Sequence, residues 1–129
     1  MPYACGNARI EVESIILAVT WDEYAATRTA TGVIVAWTTL AEDDTLGFEI
    51  RAMHRDGSEA VVMTLPAHGP SQPYELRDSR DVARDGTVTA YRVTEIRWDG
   101  RRGDATPWFK IARDDGGTRG ARATGGRTR

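Results

Sequence analysis

One cysteine in 129 residues excludes an internal disulfide framework and a metal site built on several thiolates. Long apolar runs are also missing: the longest, residues 15–19 and 33–37, are five residues each. Neither spans a bilayer, and no stretch near the N-terminus has the apolar length of a signal peptide. The two histidines, His54 and His68, fall in different predicted elements, so a zinc site lacks ligands. There is no G-x-S-x-G, no H-E-x-x-H and no phosphate-binding loop. The reading is therefore non-catalytic, with no cofactor, no metal and no small-molecule substrate. No repeat of fixed period is present, which rules out a solenoid or a propeller.

Lysine is scarce as well: Lys110 is the one lysine among 17 basic residues. Four of the arginines, Arg119, Arg122, Arg127 and Arg129, lie in residues 116–129, which contain no acid. The other 115 residues hold 13 basic and 19 acidic side chains, so an acidic body carries a basic tail. Overall, 40% hydrophobic and 28% charged residues place the chain in the globular range, with the length of one domain.

Apolar and polar residues alternate in short runs separated by turn residues, the two-residue period of half-buried strands. Phe48, Ile50 and Ala52 share one face against Glu49 and Arg51; Tyr74 and Leu76 alternate with Glu75 and Arg77. Val33, Val35 and Trp37 share a face, and the apolar Ile34 and Ala36 opposite mark that strand as central. Asp56-Gly57, Asp85-Gly86 and Asp99-Gly100 are turn dipeptides. Pro66, Pro70 and Pro73 make residues 66–73 a connection or an edge. Strands are predicted at 15–19, 32–38, 47–55, 59–64, 74–78, 87–98 and 108–112, with at most one helical turn, in 38–46. Seven short strands in about a hundred residues predict an all-β, seven-stranded antiparallel β-sandwich. In 87–98 the apolar phase slips after Val93, leaving Glu95 out of pattern, which predicts a β-bulge.

Three segments carry a family resemblance. Trp37-Thr38-Thr39-Leu40-Ala41-Glu42-Asp43-Asp44-Thr45-Leu46-Gly47-Phe48-Glu49-Ile50 resembles the strand B to strand C region of bacterial fibronectin type III-like domains. Tyr74-Glu75-Leu76-Arg77-Asp78 is similar to that family's strand E, and 91–100 to its strand F and F–G turn. Two departures are Ala90, where the family often has an aromatic, and Arg51-Ala52, where it usually has Tyr-Arg. The resemblance divides the chain into an N-terminal extension (1–12), the fibronectin type III-like domain (13–112) and a flexible Gly/Arg-rich tail (113–129). It implies burial of Trp37 between two sheets, and an inward Tyr91 whose hydroxyl meets the backbone. It also implies an extracytoplasmic setting, periplasmic, cell-surface or secreted.

The partner-binding candidates gather in the expected F–G loop and the tail. Trp98 and Trp108 flank the loop and are expected close together with Arg101 and Arg102, a pairing of residue types common in interface hot spots. Arg102-Gly103-Asp104 is the tripeptide that fibronectin-type domains present to integrins, and Asp104 would offer its carboxylate at a hairpin tip. Glu42, Asp43 and Asp44 form an acidic loop that reads as a solvated turn before it reads as a calcium site. The tail arginines suit an acidic partner or an anionic surface, but no aromatic interleaves them for base stacking, which argues against nucleic acid. The function expected is a non-catalytic protein-interaction module, an accessory or scaffold subunit docking onto a larger complex, including a membrane-associated one. The alternatives are a carbohydrate-binding or cell-adhesion module using the F–G loop, and tail-mediated binding of nucleic acid or an anionic surface.

Overall fold

The computed structural model describes residues 19–113. All but Val19 of the predicted strand 15–19, the extension 1–12 and all but Arg113 of the predicted tail 113–129, with Arg119, Arg122, Arg127 and Arg129, lie outside the described residues; Arg113 itself ends a strand. Eight strands and one short helix follow in chain order: β1 (Thr20–Thr29), β2 (Gly32–Ala41), β3 (Thr45–His54), β4 (Glu59–Pro66), β5 (Tyr74–Asp78), α1 (Asp81–Arg84), β6 (Val88–Arg97), β7 (Arg102–Ala105) and β8 (Phe109–Arg113). The order across the sheet is β4-β3-β6-β8-β1-β2-β5, with β7 also paired to β6.

The chain is all-β, but its sheet is mixed and nearly closed, which corrects the expectation of seven antiparallel strands. The parallel contact is β1 with β8, through Ala26–Ile111, Thr27–Ala112 and Arg28–Arg113. The same β8 pairs antiparallel with β6 through Ala90–Lys110 and Tyr91–Phe109, so it joins β1-β2-β5 to β4-β3-β6. Two of the eight strands escaped the sequence pattern. In β1 the register shifts around Trp21, so Trp21, Tyr24 and Ala26 reach the core at uneven spacing and the two-residue period is lost. The Arg-Gly-Asp-Ala of β7 has no large apolar residue to betray a strand. Residues 38–41 continue β2 rather than turning into helix, while α1 forms at 81–84 around the buried Ala83. All three Asp-Gly turns hold, with φ of 87–90° at Gly57, Gly86 and Gly100.

Inside, the pattern of alternation builds the core directly. Val33, Val35 and Trp37 from β2 meet Phe48, Ile50 and Ala52 from β3 and Tyr91 and Val93 from β6. Trp37 stacks on Tyr74 with ring centroids 5.2 Å apart and planes 6° apart, and Phe48 sets its edge against both. Burying rings of this size contributes roughly 2–3 kcal/mol each. From Tyr91 to Glu95 the phase of β6 does not slip: Tyr91, Val93 and Glu95 all point inward and are buried. The register shifts beside Glu95 fall on the partner strands, near Leu46 of β3 and within β7, while the shift on β6 itself lies at Thr89, between Val88 and Ala90. Glu95 is therefore an acid on the core face, not a bulged residue.

Candidate functional site

Strands β2 and β3, β4 and β5, and β6 and β7 are joined at one end of the molecule, and three exposed apolar side chains lie there. Trp98 on the β6–β7 turn is 66% exposed, Leu46 is 42% and Leu40 59%. Trp98 and Leu46 each follow a member of the cross-strand pair Thr45–Arg97, and the Trp98 amide donates to the Asp44 carbonyl at 3.1 Å. The hairpin tip is held internally: the Arg97 amide donates to the Arg101 carbonyl, and the Gly100 amide to the Arg97 carbonyl. Trp98 thus stands in water on a stiff support.

The acidic loop at this end is a brace. Glu42 accepts from the Thr39 hydroxyl (2.5 Å) and the Gly69 amide (3.0 Å), and its two oxygens lie 2.9 and 3.1 Å from the Tyr74 hydroxyl. The Tyr74 oxygen also accepts the His68 amide, and the His68 ring stacks on Tyr74 at 3.7 Å. Burial, and then the Glu42 carboxylate, push the Tyr74 hydroxyl up to about 12. Asp44 pairs with Arg97 at 3.3 Å. Among the described residues no cluster of three metal-ligating side chains occurs.

A second arrangement covers the outward face of β3 and β6. Glu49 lies almost buried there; its Oε1 accepts Arg51 Nε (2.8 Å) and Arg102 Nε (3.1 Å), and its Oε2 accepts Arg102 Nη2 (2.8 Å). The Arg102 hydrogen bonds, joined by those of Arg51, overcome burial and hold this carboxyl down to about 2. Beside it, the Arg92 guanidinium carbon sits 4.9 Å from the centroid of the Trp108 ring, while Nε donates to the Thr106 carbonyl at 2.9 Å.

These contacts rearrange the expected loop. Arg102, Gly103 and Asp104 are not at a hairpin tip but in β7, paired to β6, with Arg102 drawn across to Glu49. The tip is Asp99-Gly100, and exposed Arg101 folds back toward Asp99. Trp98 and Trp108 are not together: Trp108 lies beside Arg92, six residues along β6 from Trp98, which is about 20 Å of strand. Asp104 is exposed. Sequence reading missed Arg51 and Arg92 as a pair and Glu49 as their neighbour. Their outward phase was readable from Ile50 and Tyr91, but the register that brings β3 to β6 was not.

At the opposite end the β3–β4 turn joins His54, Ser58 and Asp56, with Ser58 Oγ 3.2 Å from His54 Nδ1 and 2.7 Å from Asp56 Oδ1. The acid contacts the serine rather than the histidine, which is the wrong wiring for a nucleophilic triad. Among the described residues no helix is long and apolar enough to cross a membrane. No family model matches this chain, and neither a curated protein nor a solved structure matches it.

Proposed function

We propose that this chain is a non-catalytic protein-docking module built as a fibronectin type III-like β-sandwich. The strand order supports that fold: β1-β2-β5 and β4-β3-β6 with β7 and β8 correspond to the two layers of immunoglobulin-like sandwiches. The observation that carries the function is the end bearing Trp98, Leu46 and Leu40, where large apolar side chains stand exposed on braced loops. Exposed tryptophan on rigid backbone is the residue type and setting of an interface anchor, because little side-chain entropy is lost on contact. A carbohydrate or integrin role is less well supported, since Trp108 is engaged by Arg92 and Arg102 by Glu49. The partner is another protein or complex, and the extracytoplasmic, accessory-subunit setting, membrane-associated or not, rests on the family resemblance.

The test is affinity capture from the native source with wild-type chain and Trp98→Ala side by side. A stoichiometric protein partner, identified by mass spectrometry and lost with Trp98→Ala, is the expected result. A partner retained equally by both, or a chain that elutes alone at native concentration, overturns the reading.

A further inference from the structure

Arg51 of β3 and Arg92 of β6 stand directly opposite each other in the ladder. Residues so paired share a face and have Cβ atoms about 5 Å apart, and like charges in that position repel. The acid at hand is insufficient. Glu49 divides one carboxylate between Arg51 and Arg102, and Glu59 approaches Arg51 Nη1 only to 3.6 Å. Among the described residues Arg92 has no acidic partner, and neither of its Nη groups donates a hydrogen bond. Its Nε is fixed by the Thr106 carbonyl and its ring contact is Trp108, so the Nη edge is a preoriented donor fork. Lys110, opposite Ala90, adds an exposed cation to the same face.

We infer that this face docks an acidic, Asp- or Glu-rich segment of a partner protein, with one carboxylate seated between Arg51 and Arg92. This deepens the docking reading above and rests on it. A carboxylate there converts a repulsive cross-strand pair into a bridged one, using donors already held in place. With Arg51, Arg92 and Lys110 the patch is three strands wide, about 15 Å, and Glu59 bounds it on the β4 side. That width suits a few carboxylates rather than a long polyphosphate backbone. The Trp108 face is occupied by Arg92, so it offers no platform for a nucleobase.

The experiment titrates full-length protein into rhodamine-labelled hexaglutamate, followed by fluorescence anisotropy at two salt concentrations. Expected results are saturable, salt-sensitive binding, weakening at least tenfold with Arg92→Gln, and only partial recovery with Arg92→Lys, which keeps charge but not the fork. Arg77→Gln, which removes an exposed arginine from β5 at the far edge of the sheet order, leaves the affinity unchanged. If Trp98→Ala fails to release the native partner while the Arg92 dependence stands, the apolar-end reading fails alone. A full-length variant with Arg119, Arg122, Arg127 and Arg129 replaced by glutamine retains the Arg92-dependent component. The inference is overturned if Arg92→Gln binds hexaglutamate like wild type, or if only the tail substitutions abolish binding. It is equally overturned if a thymidine decamer binds more tightly with the same Arg92 dependence, or if sedimentation shows an Arg92-dependent dimer as the occupant. Circular dichroism of each variant establishes that lost binding is not lost folding.

Discussion

The Tyr91 hydroxyl donates a 2.7 Å hydrogen bond to Oδ2 of Asp78, joining the centre of β6 to the end of β5 through the interior. The tyrosine hydroxyl was expected to meet the backbone; it meets a carboxylate that Arg80 also holds, through Nε at 2.8 Å and Nη2 at 2.9 Å. Burial opposes the charge on Asp78, but the hydrogen bonds from Arg80 and Tyr91 outweigh it and keep the carboxyl below its ordinary range. The strand end, the start of α1 and the core are thus tied at one anion.

Removing either partner has unequal consequences. Tyr91→Phe leaves Asp78 with Arg80 and is expected to cost about 1–2 kcal/mol. Asp78→Ala leaves the buried Tyr91 hydroxyl and the Arg80 guanidinium without their acceptor, and about 3–5 kcal/mol is expected. Urea unfolding at pH 7 measures both; equal losses would show that Asp78 is not the hub.

Glu49 predicts a pH dependence. Its folded pKa, about 2, lies below the ordinary 4.5, so its stabilisation is complete above pH 4.5 and disappears as the pH falls toward 2. After allowance for solvent near its partners, the carboxylate contributes about 1–3 kcal/mol at neutral pH. Glu49→Gln is therefore less stable than wild type at pH 7, and the gap closes by pH 2–3. Paired urea titrations at pH 7, 4 and 2.5 give the curve, and a gap independent of pH would contradict the assignment.

Tyr74 acts at the alkaline end with the opposite sign. An unfolded tyrosine ionises near 10 and the folded one near 12, so the native state binds the extra proton and stability falls between those values. Tyr74→Phe removes the hydroxyl from Glu42 and His68 and starts less stable at pH 8. Its deficit is expected to shrink by about 1.4 kcal/mol at pH 11, read by guanidinium unfolding at both values.

Legibility differed by element for physical reasons. β3 from Phe48, β5, and β6 from Tyr91 alternate, so Phe48, Ile50, Tyr74, Leu76, Tyr91 and Val93 could be placed inside from the sequence, as they are found. β1 could not, because its register shifts near Trp21 break the period, and β7 could not, because its function is to pair and not to fill. Trp98 was readable as the last residue of the predicted strand 87–98, beside an Asp-Gly turn; the strand ends one residue earlier and leaves it exposed. The Arg51–Arg92 opposition, the reach of Arg102 to Glu49 and the cover of Trp108 by Arg92 depend on register between distant segments, which no local pattern encodes.

Glu95 and Gly103 offer the sharpest test of this packing. Glu95 is fully buried on the core face; Oε2 accepts the Thr45 hydroxyl at 2.6 Å, while Oε1 has no hydrogen-bond partner and lies against Gly103. A Cβ at position 103 would collide with that oxygen and crowd Arg97 Cγ. Gly103→Ala must displace a buried carboxylate held by the Thr45 hydroxyl, and about 1–3 kcal/mol of destabilisation is expected. Glu95→Ala also destabilises, by opening a void and orphaning the Thr45 hydroxyl. In the double variant the new methyl group meets the space that Glu95 vacated. The two losses should therefore fall short of additivity by 0.5 kcal/mol or more, a coupling that a double-mutant cycle in urea resolves. Strict additivity would mean that the side chain of Glu95 does not lie over Gly103.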